Sequence, residues 1–369
     1  MSVSELNPSA GFREELAARG GATAARCYQC ATCSSVCQLA PDDGPFPRRQ
    51  MALAQWGFGD ELVSDPAVWL CHQCNDCTVR CPRDAKPGDV MQTVRSLVVE
   101  KLAAPSFMGR LVARAGSTWP LLLGVPFLFW VAALYGVNGL QFPAELKGFR
   151  EIVPHWLIYV VFYPVSGLAA LAMLVSGVRF WNMLGSRAAR SGSFFGNLIP
   201  VLIEIATHKR FGSCEAASSR RWGHFALLWG FVFAAATAGF AVLAETVLKT
   251  ATPLPLVHPI KLLGNTSAVL LLVGGAIVVY NRLIGGNRTG ASTAFDNFFL
   301  GLVLLLIVTG VLTEAGRFAF PPALAAWVYI VHLTAAVSLF VTFPYSKFAH
   351  FVYRALAMVH ERMARPQGV

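Results

Sequence analysis

Cys27-Tyr-Gln-Cys30-Ala-Thr-Cys33-Ser-Ser-Val-Cys37 and Cys71-His-Gln-Cys74-Asn-Asp-Cys77-Thr-Val-Arg-Cys81-Pro82 repeat one pattern 44 residues apart. Each run reads C-x2-C-x2-C-x3-C, the spacing at which two 4Fe–4S clusters exchange their fourth ligands. Two-residue gaps let a tight loop aim three thiolates at three corners of a cube. The fourth cysteine follows a helical turn and faces the other cube. Cys27, Cys30, Cys33 and Cys81 are therefore expected on one cluster, and Cys71, Cys74, Cys77 and Cys37 on the other. Structural zinc would use paired C-x2-C units, and two such dense sets exceed that need. Disulfides would require an oxidising compartment and rarely fall into matched clusters.

Outside this region the chain turns apolar. Hydrophobic residues make up 55% of its 369 residues against 14% charged, which places it among integral membrane proteins. The net charge of +10 does not indicate nucleic acid, because the basic residues gather in loops between apolar segments. The first hundred residues lack a signal-peptide apolar core, so the cysteine domain is expected in the cytoplasm. The ninth cysteine, Cys214, reads as a lone buried thiol.

The expected architecture is all-α. An N-terminal extension (1–25, with a helix over Gly11–Arg19) precedes a two-cluster ferredoxin-like domain (26–104). A linker (105–118) then leads to a transmembrane domain (119–365). Within the cysteine domain, helices are expected over 46–59, stopped by glycine, and over 87–101. Six segments can cross a hydrocarbon core that takes about 20 residues of helix: 119–138, 156–178, 223–247, 262–283, 296–314 and 325–345. Arg179, Arg187, Arg190, Lys209, Arg210, Arg220 and Arg221 crowd the loop between the second and third. Arg282 and Arg288 follow the fourth, and Lys347, Arg354, Arg362 and Arg365 the sixth. The opposite loops hold Lys147, Arg150, Lys249, Lys261 and Arg317. The asymmetry predicts both termini and the clusters on the cytoplasmic side of a prokaryotic inner membrane. Residues 194–205 read as an interfacial helix.

Five histidines stand at or near span ends: His208, His224, His258, His332 and His350. Ionisable groups in a membrane are functional candidates by default. His332 and His350 are 18 residues apart, five whole turns, so one straight helix would present both on one face roughly 27 Å apart. Pro344 lies between them and can kink it. Two stacked b haems need such a pair, each completed by a histidine from another helix. The pairs are expected to be His224–His350 (inner) and His258–His332 (outer), with His208 as a reserve inner ligand. Arg220, Arg221, Arg282 and Arg317 read equally as propionate partners or as topology markers. Gly230, Gly239, Gly264, Gly274, Gly275, Gly301 and Gly310 would admit a flat macrocycle, or equally let helices pack closely.

Through its two cysteine runs the N-terminal domain resembles the iron–sulfur C subunits of heterodisulfide reductase. The membrane domain resembles the di-haem cytochrome b subunits of respiratory nitrate reductase. That likeness runs through Arg221-Trp-Gly-His224-Phe, Tyr329-Ile-Val-His332-Leu and Phe343-Pro344-Tyr-Ser-Lys-Phe-Ala-His350. It implies haem ligation by His332, His350 and His224, and it lacks the second histidine expected near Ala234. The fusion resembles the C subunits of quinone-modifying (quinone-interacting membrane-bound) oxidoreductases. This implies two haem b groups, a menaquinone or ubiquinone substrate, and soluble flavin and iron–sulfur subunits like heterodisulfide reductase A. Adenylylsulfate reductase is the further partner implied.

A quinone-linked electron carrier is thus the expected function, with Lys261 in Val257-His258-Pro259-Ile260-Lys261 as the candidate quinone residue. The alternative reading of Lys261, as a snorkelling anchor at the interface, is the more common one for such a lysine. The rivals are a membrane arm of a quinol- or methanophenazine-linked heterodisulfide or sulfite-reduction complex, and a haem-free anchor with an iron–sulfur sensor. No phosphate-binding or dinucleotide motif is present.

Overall fold

The computed structural model describes residues 7–40, 44–185, 190–213, 218–250, 252–284 and 290–364; Cys214, Arg187, Arg288 and Arg365 lie outside them. Every regular element among the described residues is helical. The cysteine domain comprises α1 (Ala10–Leu16), α2 (Thr32–Ser35), α3 (Arg48–Trp56), α4 (Gly59–Val63), α5 (Ala67–Leu70), α6 (Asp76–Val79) and α7 (Pro87–Leu102). The helix expected to run to Gly59 stops earlier. Gly57 takes a left-handed φ of 80° and ends α3, and α4 restarts the chain two residues later. A side chain at Gly57 would also meet the Ser9 carbonyl at 2.5 Å.

The centre of this domain is α7. Val90, Val94, Leu97 and Val98 recur at helical spacing and are buried, and α7 packs against α3 and α4, whose Met51, Ala54 and Leu62 are buried too. Each such side chain, fully buried, stabilises by about 1.5–3 kcal/mol.

The membrane part follows α8 (Ser106–Ala113). Its helices are α9 (Ala115–Asn138), α10 (His155–Gly185), the short α11 (Phe194–Thr207), α12 (Ser218–Thr246), α13 (Pro259–Ile284), α14 (Ala294–Ala319) and α15 (Pro322–Thr342), and α16 (His350–Ala364) closes the chain. Six of these, α9, α10 and α12 to α15, are long and apolar enough to cross a membrane. Gly223 and Gly274 let α12 and α13 approach so closely that a Cβ on Gly274 would meet the Gly223 carbonyl at 2.8 Å. Gly230 likewise faces Leu271, and Gly264 faces Thr237, so these glycines serve helix packing.

The last span is not one straight helix. It ends at Thr342, passes through tight turns at Phe343–Tyr345 and Lys347–Ala349, and restarts as α16 at His350. Pro344 lacks an N–H and its ring crowds the carbonyl four residues back, which ends the helix. Ser346 is extended, and its hydroxyl accepts from Phe348 N at 3.3 Å to start the next turn. The five-turn argument for His332 and His350 therefore does not apply.

The two parts share a core. One apolar cluster runs from Met51, Val90 and Val98 into Phe180 and Leu184 of α10 and Tyr353 and Ala357 of α16. Trp69 stacks on Tyr353 at 4.8 Å, and Phe180 meets both rings edge-on at 5.9 and 5.0 Å. Arg179 donates to the Leu102 and Ala103 carbonyls, and the Tyr345 hydroxyl to the Ala104 carbonyl at 2.8 Å. Gln92 of α7 donates at 2.7 Å to buried Asp296, which Lys347 also pairs at 2.7 Å. Trp69→Ala should remove about 3–5 kcal/mol, read as lost resistance to denaturant in detergent. A loss of under about 1 kcal/mol would mean that the two parts do not stabilise each other through this stack.

Candidate electron-transfer site

The two cysteine loops are built alike. Gln29 and Ala31 take φ values of 59° and 68°, and Gln73 and Asn75, 44 residues on, take 53° and 65°. These are left-handed conformations that ordinary side chains resist, held because each curls the chain around a cysteine. A single helical turn follows in both halves, α2 and α6, and carries the chain to Cys37 or Cys81. Cys27, Cys30, Cys33 and Cys81 line one hollow. Cys37, Cys71, Cys74 and Cys77 line a second. Each half thus lends its last cysteine to the other half's hollow. Among the described residues no three His, Cys, Asp or Glu side chains converge tightly enough for a single metal ion. Thiols spread around a hollow suit a multi-iron cluster instead.

Backbone amides point at the sulfurs. Gln73 N donates to Cys71 Sγ and Ala85 N to Cys81 Sγ, both at 3.3 Å. Burial pushes the Cys37 thiol up to about 11 and raises Cys77 further. A bound metal ion reverses that by deprotonating its thiol ligands outright. Gly88, at the start of α7, closes the second hollow: a Cβ there would lie 1.9 Å from the Asn75 carboxamide oxygen, and its N–H donates to Thr78 Oγ1 at 3.1 Å.

Three arginines grip the backbone of the second loop. Arg95 donates to the carbonyls of Val68 and Cys71 at 2.8 Å, and Arg220 of α12 to that of Gln73 at 2.8 Å. Arg354 of α16 reaches the Leu70 carbonyl at 3.1 Å, the Cys71 carbonyl at 3.4 Å and His72 Nε2 at 2.6 Å. Burial, then Arg95 and Arg210, press the Arg354 pKa down, but a guanidinium remains charged at neutral pH. Burial and the same cations drive His72 far below its usual range, so it is neutral and accepts from Arg354.

One turn before Arg354 stands His350. Its ring lies 5.9 Å from that of His224, at the start of α12. His224 Nδ1 is engaged by His208 Nε2 at 2.8 Å, and His350 Nδ1 by the Lys347 carbonyl. His208 itself holds a left-handed φ of 51° after α11 and is buried, whereas His224 keeps an open face. Burial pushes His350 down to about 4 and lowers His208, so both are neutral at pH 7. Phe211 bridges the sets, 4.9 Å from His72 and 6.3 Å from His224 between ring centres.

His332 and His258 are placed differently. His332 is ten residues inside α15, about 15 Å along it at 1.5 Å per residue. Its Nδ1 lies 3.1 Å from Thr309 Oγ1, and Gly310 makes room for the ring. His258 precedes α13 and accepts from Ile260 N at 3.3 Å, at the helix start. No described contact joins it to His332, and their depths differ. Lys261 is ion-paired with Glu314 at 2.5 Å. Sequence reasoning missed a second polar group at this far end of the bundle, where Glu245 of α12 bonds His155 and accepts from Tyr159 at 2.7 Å. Carboxylates near the ends of apolar spans were the available signal.

Residues 143–368, three-fifths of the chain, match the family model for citrate utilization protein B. The chain belongs to the citrate utilization protein B family. Residues 23–85 match a 4Fe–4S dicluster domain, so the cysteine domain is of the iron–sulfur type. Citrate utilization protein B of Escherichia coli is 27% identical over 363 residues, covering 93% of this chain and 91% of that one. The C subunit of the H2:CoB-CoM heterodisulfide,ferredoxin reductase of Methanothermobacter thermautotrophicus is 34% identical over 153 residues, 38% of this chain and 80% of its own. An Archaeoglobus profundus protein that is itself like the C subunit of heterodisulfide reductase is 40% identical over 81 residues, 22% of this chain and 43% of its own. No solved structure matches.

Because a Cβ on Gly88 would strike Asn75 and Thr78 beside the second hollow, Gly88→Ala should halve the iron content and remove one of two reduced-cluster EPR signals. Loss of both, or of neither, would contradict the two-hollow arrangement.

Proposed function

We propose that this chain is the membrane arm of an oxidoreductase complex, carrying single electrons between a soluble subunit and a carrier dissolved in the bilayer. One juxtaposition supports this most. Arg354 touches the Cys71 loop, and His350, one turn away on the same helix, faces His224.

In this reading Cys27, Cys30, Cys33 and Cys81 hold one 4Fe–4S cluster, and Cys71, Cys74, Cys77 and Cys37 the other. His224 and His350 hold a b haem. Two metal–nitrogen bonds of about 2 Å, with the inner half of each ring, need roughly the 5.9 Å observed between ring centres. With both Nδ1 atoms engaged, each ring has Nε2 free to bind metal. His208 becomes the positioning partner of His224 instead of a reserve ligand. When bound, these groups supply one-electron steps that match a two-electron carrier to two-electron chemistry elsewhere. Arg95, Arg220 and Arg354 hold the second loop and place positive charge beside its anionic thiolates.

A quinone is the membrane-side partner we favour. The face of α11 that exposes Phe195, Ile199 and Ile203 lies at the same end of the bundle as His208 and offers an apolar approach. Lys261, paired with Glu314 at the opposite end, is far from these histidines and has no quinone role in this account. The basic end of the bundle faces the cytoplasm. On the soluble side we infer a flavin or iron–sulfur subunit; that the relatives are C subunits of larger heterodisulfide reductases supports a partner there. The name of the full-length relative favours a partner in citrate-type carboxylate metabolism over adenylylsulfate reductase.

A pyridine haemochrome assay on the detergent-solubilised chain should give one b haem. His224→Ala or His350→Ala should lose it with both clusters intact, and His258→Ala should keep it. A second haem, lost in His258→Ala, would restore the four-histidine arrangement; no haem in cluster-replete protein would end the cytochrome reading.

A further inference from the structure

The two hollows differ in what surrounds them. The one lined by Cys71, Cys74 and Cys77 is gripped by arginines of α12 and α16 and flanked by the bundle. The one lined by Cys27, Cys30 and Cys81 is open: Cys30 is exposed, and Tyr28 beside it is 69% exposed. Cations ring this opening. Arg48 and Arg83 line it, Arg48 donates to Gln29 at 3.3 Å, and Arg26, Arg80 and Lys86 flank the cysteines in sequence. Asp84 is held between Arg26 at 3.2 Å and Lys86 at 3.9 Å, which leaves the rim positive. The Arg83 guanidinium lies 4.0 Å over the Tyr28 ring and donates to its hydroxyl at 2.9 Å. Tyrosine and arginine are among the residue types that most often carry binding energy at protein interfaces.

We infer that this basic rim is the docking surface for the acidic face of a soluble electron-transfer protein, whose redox centre meets the chain over Cys30. The inference rests on the membrane-arm reading and names the chemistry of the soluble partner. Opposite potentials steer encounter and fix orientation. Cys30 is exposed in the first set and no cysteine of the second set is, which gives the chain a direction: the partner's side at Cys30, the bundle side at Cys71.

Two protein probes of opposite charge test it, an acidic plant-type ferredoxin and a basic cytochrome c. Electron exchange with the full-length, cluster-loaded chain in detergent is followed by stopped flow. Exchange with the ferredoxin should be the faster and should slow as salt rises from about 50 to about 500 mM. Arg26→Glu with Arg83→Glu should slow it by about tenfold and quicken cytochrome c, with iron content and EPR signals unchanged. If charge reversal disturbs the loop, Arg26→Gln with Arg83→Gln should weaken the salt dependence and slow the low-salt exchange, with iron content unchanged. Equal rates for both probes, or rates blind to salt and to either variant pair, would overturn the inference. A chain that shows the expected charge dependence but binds no haem would leave the docking surface standing and remove the membrane-side reading.

Discussion

The half-buried guanidinium of Arg354 ties the C-terminal helix to the backbone of the Cys71 loop, and the relation between the two halves of the molecule depends on it. A cation taken out of water is costly unless its donors and its charge are both answered. Carbonyls of Leu70 and Cys71 and the ring of His72 answer the donors. Thiolates around the second hollow would answer the charge once iron is bound. The same helix buries Tyr353 against Trp69, so polar and apolar contacts fix one geometry. A tethered domain would leave the distance between its cysteines and the bundle histidines variable; a shared core sets it.

That constraint explains the basic residues at this end of the bundle. Their number reads as a topology signal in the sequence, and several also make specific contacts. Arg179, Arg220 and Arg354 all donate to carbonyls of the cysteine domain. Residues that read in the sequence as topology markers thus also hold the two parts together. The opposite end carries fewer cations, and its Lys261 and Glu245 are spent on local pairs.

Much of this was legible beforehand because it lies in short-range spacing. The cysteine runs place six thiols by local loop geometry, and the exchange of Cys37 and Cys81 follows from the helical turn between. The six spans follow from length and hydropathy. What depends on long-range packing was less accessible. Pro344 was visible, but only the turns after it show that His350 starts a new helix pointing elsewhere. His208 looked marginal because its segment is polar; its partner, His224, is 16 residues away and reaches it only through the reversal after α11. His258 and His332 share an end of the bundle in sequence order yet differ in depth, which periodicity cannot report. Gly230, Gly264, Gly274, Gly275 and Gly310 face neighbouring helices, whereas Gly239 and Gly301 face open space.

The proposed electrostatic coupling of the Cys71 set, and not of the Cys27 set, to the bundle is open to test at Arg354. The direct measurement is an EPR-monitored redox titration of the solubilised chain beside Arg354→Gln, in which the charge is removed and hydrogen-bonding capacity is partly kept. One cluster should move to lower potential, as should the proposed b haem, while the second cluster holds its value. Two clusters shifting together, or neither shifting, would contradict it.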